Sequence, residues 1–431
     1  MLRELGHELV PLEAVRETIL SLLEPAGVVE LPLAEAFGRV LREDVTAREN
    51  IPPFDNSAMD GFAVRVGDIE AATDEKPVTL RVQGGVSAGD RGDVHLSPGS
   101  AIRIMTGAPV PPGAEAIVPH ELTRFEQDQV SFFRPAGRGQ NIRLAGGDLR
   151  PGDIPLRSGT WLRGPQRAIA APLGYGQLRV TRRIRVAILS PGNELVDVGA
   201  PAGRGKIRNS NAYSLLGLLL EAGAEPINLG ILPDGREEIL EAVERALGLG
   251  ADAILSTGGV SAGDFDFVQA VVREAARPGH VFKVAMRPGK PQVFGLFDGK
   301  PLFGLPGNPA ASIVSFEVFV RPALRKMKGE SQVLPVPFGV RFPFQYLYKP
   351  GRVFLLRARV EPDEHQQAEP SPGGLKGRLR GGFRVVLPGG QDSSFLSSLA
   401  DANALITLPA NRDRVEVDEV HPAIWLGGHG S

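Results

Sequence analysis

The chain has 431 residues, no cysteine and a formal net charge of −2, with 42% hydrophobic and 23% charged residues. That length exceeds what one hydrophobic core usually serves, so about two to four domains are expected. The near-neutral balance offers no bulk attraction to nucleic acid, and the lack of cysteine excludes disulfides, thiolate catalysis and Cys-bound zinc. The first residues, MLRELGHELVPLEAV, show no apolar segment followed by a small-residue cleavage site, and no run approaches the ~20 apolar residues of a membrane span. A cytoplasmic protein without membrane contact is expected.

From Val10, apolar residues at Leu12, Val15, Ile19, Leu22 and Leu23 predict one helical face, stopped at Pro25-Ala26-Gly27. A short strand and a second helical piece ending near Glu43 are expected next. The stretch from Ile51 to Val64, IPPFDNSAMDGFAV, reads as an ordered loop rich in side-chain oxygens, with Asp55 and Asp60 beside Met59 and Phe62. From Val78 to Val130, the short runs VTLRV, AIRIM, EAIVP and QVSFF between Gly and Pro predict a small β-domain. Within it Thr106 ends a strand in a turn, as a ligand contact or as a turn hydroxyl. The heptapeptide GGVSAGD occurs twice, from Gly84 and from Gly258; the flanks differ, and the first copy is expected to be a surface loop. The segment Gly164 to Leu173 is helical and too short for a domain, so it returns to pack with the N-terminal helices and makes the β-domain an insertion.

At Ile184 the pattern changes to strands alternating with helices, which predicts a three-layer α/β domain with a mostly parallel sheet. Ligands of such sheets sit at the carboxyl ends of the strands. The polar residues there are Glu194, Asp234, the loop Gly258 to Asp266, Lys290 and Pro306-Gly307-Asn308-Pro309. The Gly258-Gly259 turn between a buried strand and a helix suits a phosphate, whereas Asp264 and Asp266 would repel one unless a divalent cation bridges them, or unless one Asp merely caps the helix. In the last loop Asn308 can cap and Pro309 can take the first helical position. Four carboxylates with a lysine and Arg287 fit magnesium-assisted chemistry at a phosphate or phosphoanhydride, and no histidine is placed as a base. From Leu334 onward the chain reads as a C-terminal β-domain, in which Arg357 and Ser393 have no function legible from pattern.

The motifs NSAMDGFA at Asn56, RIMTGAPVP at Arg103, NIRLAGGD at Asn141, VAILSPGNEL at Val186, STGGVSAGDFDF at Ser256, MRPGKP at Met286, GLPGNP at Gly304 and QDSSFLSSLADANALI at Gln391 occur in one order. In that order they resemble the molybdopterin molybdenumtransferase family, MoeA and the gephyrin E-domain. The resemblance implies an elongated homodimer of four domains: a discontinuous N-terminal helical/β domain (1–50 plus 146–181), an inserted β-domain (51–145), the α/β domain (182–330) and a β-barrel-like C-terminal domain (331–431). It implies insertion of molybdate into adenylylated molybdopterin with Mg2+-dependent release of AMP, in a cleft between the α/β domain of one subunit and the inserted domain of the other. Transient contact with molybdopterin adenylyltransferase and with recipient molybdoenzymes is implied as well.

Carried over by motif, Asp60, Thr106, Glu194, Asp234, Asp266 and Lys290 are catalytic, and Glu194, Asp234 and Asp266 hold the metal. Substrate contacts fall on Gly258, Gly259, Ser261, Arg287, Gly289, Pro306, Gly307, Asn308, Pro309, Arg357 and Ser393, the last two serving molybdate. Pro191 and Asn193 replace a hydroxyl and a carboxylate, Arg287 a lysine, Phe62 a tyrosine and Gly147 a glutamate. Two alternatives stand beside this reading: a molybdopterin adenylyltransferase-like enzyme, which would not need NSAMDGFA or the flanking domains, and a non-catalytic scaffold related to gephyrin.

Overall fold

The computed structural model describes residues 9–260, 267–363 and 382–427; Ser261, Asp264 and Asp266 lie outside them. Its centre is a six-stranded sheet in the order Glu225–Leu232, Arg185–Pro191, Ala253–Thr257, Lys300–Leu305, Pro291–Phe297, Gly279–Lys283. The first four strands are parallel, because the helices Ser210–Glu221 and Arg236–Gly248 supply crossovers long enough to return the chain. Pro291–Phe297 and Lys300–Leu305 are antiparallel, joined by Asp298-Gly299 with φ of 48° and 75°, the left-handed pair that a two-residue hairpin requires. Gly279–Lys283 is antiparallel to Pro291–Phe297.

Both faces of the sheet are covered, so the inner strands Arg185–Pro191, Ala253–Thr257, Lys300–Leu305 and Pro291–Phe297 are buried along most of their length. Val186 and Ile188 join the core beneath Ser210–Glu221 and the helical run from Pro309, while Ala187 and Leu189 join the one beneath Arg236–Gly248 and Phe267–Ala275. Val186, Ile188 and Leu189 each contribute roughly 1.5–3 kcal/mol on burial.

The first helix, Leu12–Ser21, inserts Leu12, Val15 and Ile19 into the core shared by Val186, Phe316 and Leu324. It therefore packs on the central α/β domain, not with the segment returning near Gly164. That segment instead shares a core with the chain between Val29 and Ala47, and strand Val28–Pro32 pairs antiparallel with Gln177–Thr181. The expected second helix before Glu43 is absent: Val40 and Leu41 make bridges to Trp161 and Val180. Tertiary pairing with the returning segment overrides local helical preference there.

Between these halves stands a sheet in the order Ala116–Pro119, Gly61–Val64, Ser100–Ile104, Val78–Val86, Gln129–Phe132, Thr123–Glu126. The first GGVSAGD copy is not wholly a loop. Its Gly84-Gly85-Val86 closes strand Val78–Val86, past a bulge that shifts the register between Val82 and Gly85.

At the C-terminal end, strands Val353–Pro362, Phe383–Val386, Phe338–Arg341, Val420–Trp425 and Ala404–Leu408 pair in that order, and the last pairs back to the first. This closes a five-stranded barrel and removes its edges. The short strand Met286–Arg287 leaves the central domain to pair with Val353 and Phe354 of the barrel, and the Val353 amide donates to the Ala285 carbonyl at 3.0 Å. That stitch places the barrel against the carboxyl ends of the central strands.

Candidate active site in the interdomain cleft

A cleft of about 930 Å3 opens over those strand ends. Every central loop singled out by sequence reaches it: Glu194, Asp234, Gly258 and Gly259, Arg287 to Lys290, and Pro306 to Pro309. The barrel supplies the facing wall through Gln391, Asp392, Ser393 and Ser394.

Local geometry accounts for several of these positions. Gly289 has φ of 97°, and a Cβ there would stand 2.4 Å from Met286 Cε and 2.8 Å from Ser315 Oγ, so only glycine lets Arg287 and Lys290 flank the turn. Gln292 fixes the same turn, donating from Nε2 to the Gly289 carbonyl at 2.9 Å and to Ser315 Oγ at 2.6 Å. A Cβ at Gly192 would lie 2.9 and 3.0 Å from the two carboxylate oxygens of Glu194. Glycine there leaves room for that carboxylate. The loops carrying Asn193 and Asp234 exchange hydrogen bonds, and Lys206 Nζ donates to the Asn193 carbonyl at 2.5 Å.

Asn308 occupies the N-cap position of helix Pro309–Ser315 with Pro309 first in the helix, but its side chain makes no capping bond. It donates instead to Ser393 Oγ across the cleft at 3.0 Å. The expected side-chain cap is thus replaced by an interdomain contact.

Three residues carried over from the family resemblance stand apart from this cleft. Asp60 and Thr106 lie exposed on the inserted domain and meet each other: the Thr106 amide and hydroxyl both donate to Asp60 Oδ1 at 2.7 Å. These bonds, the hydroxyl first, hold the Asp60 carboxyl below the usual carboxylate range. Arg357 is fully buried behind the barrel loop and does not line the cleft. Its Nη2 donates to the carbonyls of Gly390 (3.3 Å) and Asp392 (3.0 Å) and its Nε to Ser398 Oγ (3.1 Å), while Nη1 is buried without a partner among the described residues.

The cleft also includes residues that sequence reasoning passed over. Arg208, Asn209, Ser210 and Asn211 line it at the start of helix Ser210–Glu221, where Asn209 Oδ1 caps by accepting from the Ala212 amide at 3.3 Å. Asn211 Nδ2 donates to the Gly307 carbonyl at 2.8 Å and ties this helix to the PGNP loop. The signal was present: Asn209 immediately precedes the apolar helical pattern, as an N-cap does.

Oxygen donors of the kind a hard cation takes are present in Glu194 and Asp234. Among the described residues no group of three or more His, Cys, Asp or Glu side chains could hold a metal ion, and the expected third acid, Asp266, is outside them. Two carboxylates still fit magnesium, which commonly takes one or two of them and completes its shell with water and substrate phosphate oxygens.

Family models match the chain in three consecutive stretches: the MoeA N-terminal region (domain I and II) over residues 10–174, a probable molybdopterin binding domain over 187–326, and the MoeA C-terminal region (domain IV) over 340–422. A Haemophilus influenzae protein named molybdopterin molybdenumtransferase is 33% identical over 414 residues, covering 95% of this chain and 97% of its own. The chain belongs to the MoeA, or molybdopterin molybdenumtransferase, family. The Bacillus subtilis member is 38% identical over 390 residues, covering 88% of this chain and 85% of its own. The crystal structure of the molybdopterin biosynthesis moeA protein from Pyrococcus horikoshii OT3 superposes with a TM-score of 0.79 at 29% identity, over 97% of this chain and all of that one. Within the MoeA family the central domain is flanked by N- and C-terminal regions that both match here, so an adenylyltransferase-like reading of the central domain alone is not favoured.

Proposed function

We propose that this chain inserts molybdate into adenylylated molybdopterin and releases AMP in a magnesium-dependent step. The observation that carries this is the joining of two walls in one cleft: carboxylates and cations at the strand ends of the central domain, and the Gln391 to Ser394 loop of the barrel. Lys290 and Arg287 offset the charge of the phosphoanhydride, and Glu194 and Asp234 are the described residues that would hold Mg2+, with Asp266 as the third acid implied by its motif. Bound there, magnesium would neutralise charge that develops on the phosphate oxygens. Molybdate, as substrate, meets the Ser393 hydroxyl; the unpartnered Nη1 of Arg357 is the donor this guanidinium still has to offer behind that loop.

The reading includes a homodimer in which Asp60 and Thr106 of one copy face the cleft of the other. Tyr213 and Leu220, 51% and 63% exposed, lie two turns apart on one face of helix Ser210–Glu221 and offer an apolar stripe to a second copy. It also includes a cytoplasmic setting, and passing contacts with the adenylyltransferase that makes the substrate and with the molybdoenzymes that receive the product. No helix among the described residues is long and apolar enough to cross a membrane.

The test incubates the purified protein with adenylylated molybdopterin, Mg2+ and molybdate and follows AMP. Release that requires molybdate supports the insertase. Equal release without it would make the protein an adenylate hydrolase, and no release would favour a scaffold.

A further inference from the structure

The start of helix Pro309–Ser315 is held from the opposite wall of the cleft. An Asn at the N-cap ordinarily accepts from the second or third helical amide. Here the Ala310 amide donates instead to the Ser393 carbonyl of the barrel at 3.2 Å, and Asn308 Nδ2 donates to Ser393 Oγ at 3.0 Å. Ser393 thus replaces the cap that Asn308 would have made, and Asn308 is released to act on the Ser393 hydroxyl. Behind Ser393 the loop is anchored by Arg357, whose guanidinium grips the Gly390 and Asp392 carbonyls, and by Gln391, which receives the Arg357 amide on Oε1 at 3.1 Å and donates from Nε2 to the Arg357 carbonyl at 3.0 Å.

An amide nitrogen can only donate, and a hydroxyl carries one proton. We propose that Asn308 is a positioning residue: by occupying an acceptor lone pair of Ser393 Oγ it turns the hydroxyl proton toward the cleft, so that Ser393 meets its ligand as a donor. A donor at that point selects an oxygen that accepts, such as an oxyanion oxygen, and disfavours a cation or an N–H group. This rests on the reading that Ser393 serves molybdate. It adds that the direction of the hydroxyl is set by the central domain, so oxyanion affinity depends on the two domains being closed on each other at this one bond.

The test is a double-mutant cycle on the full chain, read as molybdate KM in the AMP-release assay and as sodium molybdate Kd by calorimetry in the absence of the pterin substrate. Asn308→Ala frees the hydroxyl to rotate and is expected to raise both constants about three- to tenfold, the worth of one hydrogen bond. Asn308→Asp can only accept, so it draws the Ser393 proton away from the cleft and is expected to raise them about tenfold or more. Melting curves establish that each variant is folded, and the molybdate constants are compared at saturating adenylylated molybdopterin. In a Ser393→Ala background, the Asn308→Ala change adds nothing, because the group through which it acts is gone.

An Asn308→Ala effect that persists in full on the Ser393→Ala background overturns the positioning role, as does an Asn308→Asp variant that binds molybdate like the parent. Ser393→Ala alone leaving molybdate KM and Kd unchanged would instead overturn the underlying assignment of Ser393.

Discussion

The backbone N–H of Asn193 donates to Asp234 Oδ2 at 2.9 Å, and the N–H of Asp234 donates back to Asn193 Oδ1 at 3.3 Å. Two loops that leave neighbouring strands are thereby locked together at the cleft floor, and one Asp234 oxygen is committed to structure. Asp234→Asn keeps an acceptor for the Asn193 amide, so the fold is expected to persist. The half-saturating Mg2+ concentration for AMP release is expected to rise about tenfold or more, because the proposed Mg2+ site loses a unit of charge. A magnesium titration that superposes on the parent curve would remove Asp234 from the cation's ligands.

Asp60 titrates low because Thr106 gives it two donors. Thr106→Ala removes the hydroxyl and leaves the amide, so the Asp60 carboxyl is expected to titrate higher, nearer the ordinary value of ~3.9. Carbon-detected NMR of the side-chain carboxyl checks this directly, and an unmoved titration would show that the amide alone sets it.

Arg357 combines complete burial with three hydrogen bonds to the loop and to Ser398. Burial pushes its pKa down, and the fields of Tyr346 and Asp392 work against that shift. Arg357→Lys keeps the charge but loses the planar fork that reaches two carbonyls at once. Unfolding free energy is expected to fall by about 2–4 kcal/mol, since the buried Ser398 hydroxyl and two part-buried carbonyls lose their donor. Urea unfolding measures it, and a loss under ~1 kcal/mol would mean that the loop holds without its clamp.

Asp252 does not line the cleft and was not singled out from the sequence, yet it staples the sheet. Arg182 donates to it from Nη1 and Nη2 at 2.6 and 2.5 Å, the Arg185 amide at 2.9 Å, and Lys300 lies 3.7 Å away. Burial by itself would raise its pKa; the arginine fork, the amide and the lysine outweigh that and lower it. The folded value therefore lies below the unfolded one. The stabilisation is fully present above about pH 4 and is lost as pH falls through the folded value. Asp252→Asn is expected to cost about 2 kcal/mol at pH 7, with the gap to the parent closing at acid pH. A gap that is constant from pH 7 to pH 3 would contradict the linkage.

Leu220→Asp places a charge in the exposed apolar stripe of helix Ser210–Glu221. On the proposed homodimer, sedimentation is expected to show weaker self-association while the monomer fold is kept, because the side chain is already in water. A dimer constant equal to the parent's would move the contact elsewhere.

The sequence by itself determined the elements whose signals are local. The alternation of apolar strands with helices from Ile184, the short β-runs between Val78 and Val130, and the polar residues after each central strand were legible because periodicity and turn chemistry act over a few residues. Those loops meet in one cleft because the carboxyl ends of parallel strands share an edge of the sheet. Tertiary structure alone decided the features that join distant segments. Leu12–Ser21 is amphipathic wherever it packs, so its pattern could not say that the central core receives it. The residues before Glu43 surrendered a helix to bridges with Trp161 and Val180. Asn308 carries the chemistry of a cap and spends it on Ser393, 85 residues away. A hydrogen-bonding group goes to whichever partner the folded chain brings within about 3 Å, and that distance is not written in any local run of residues.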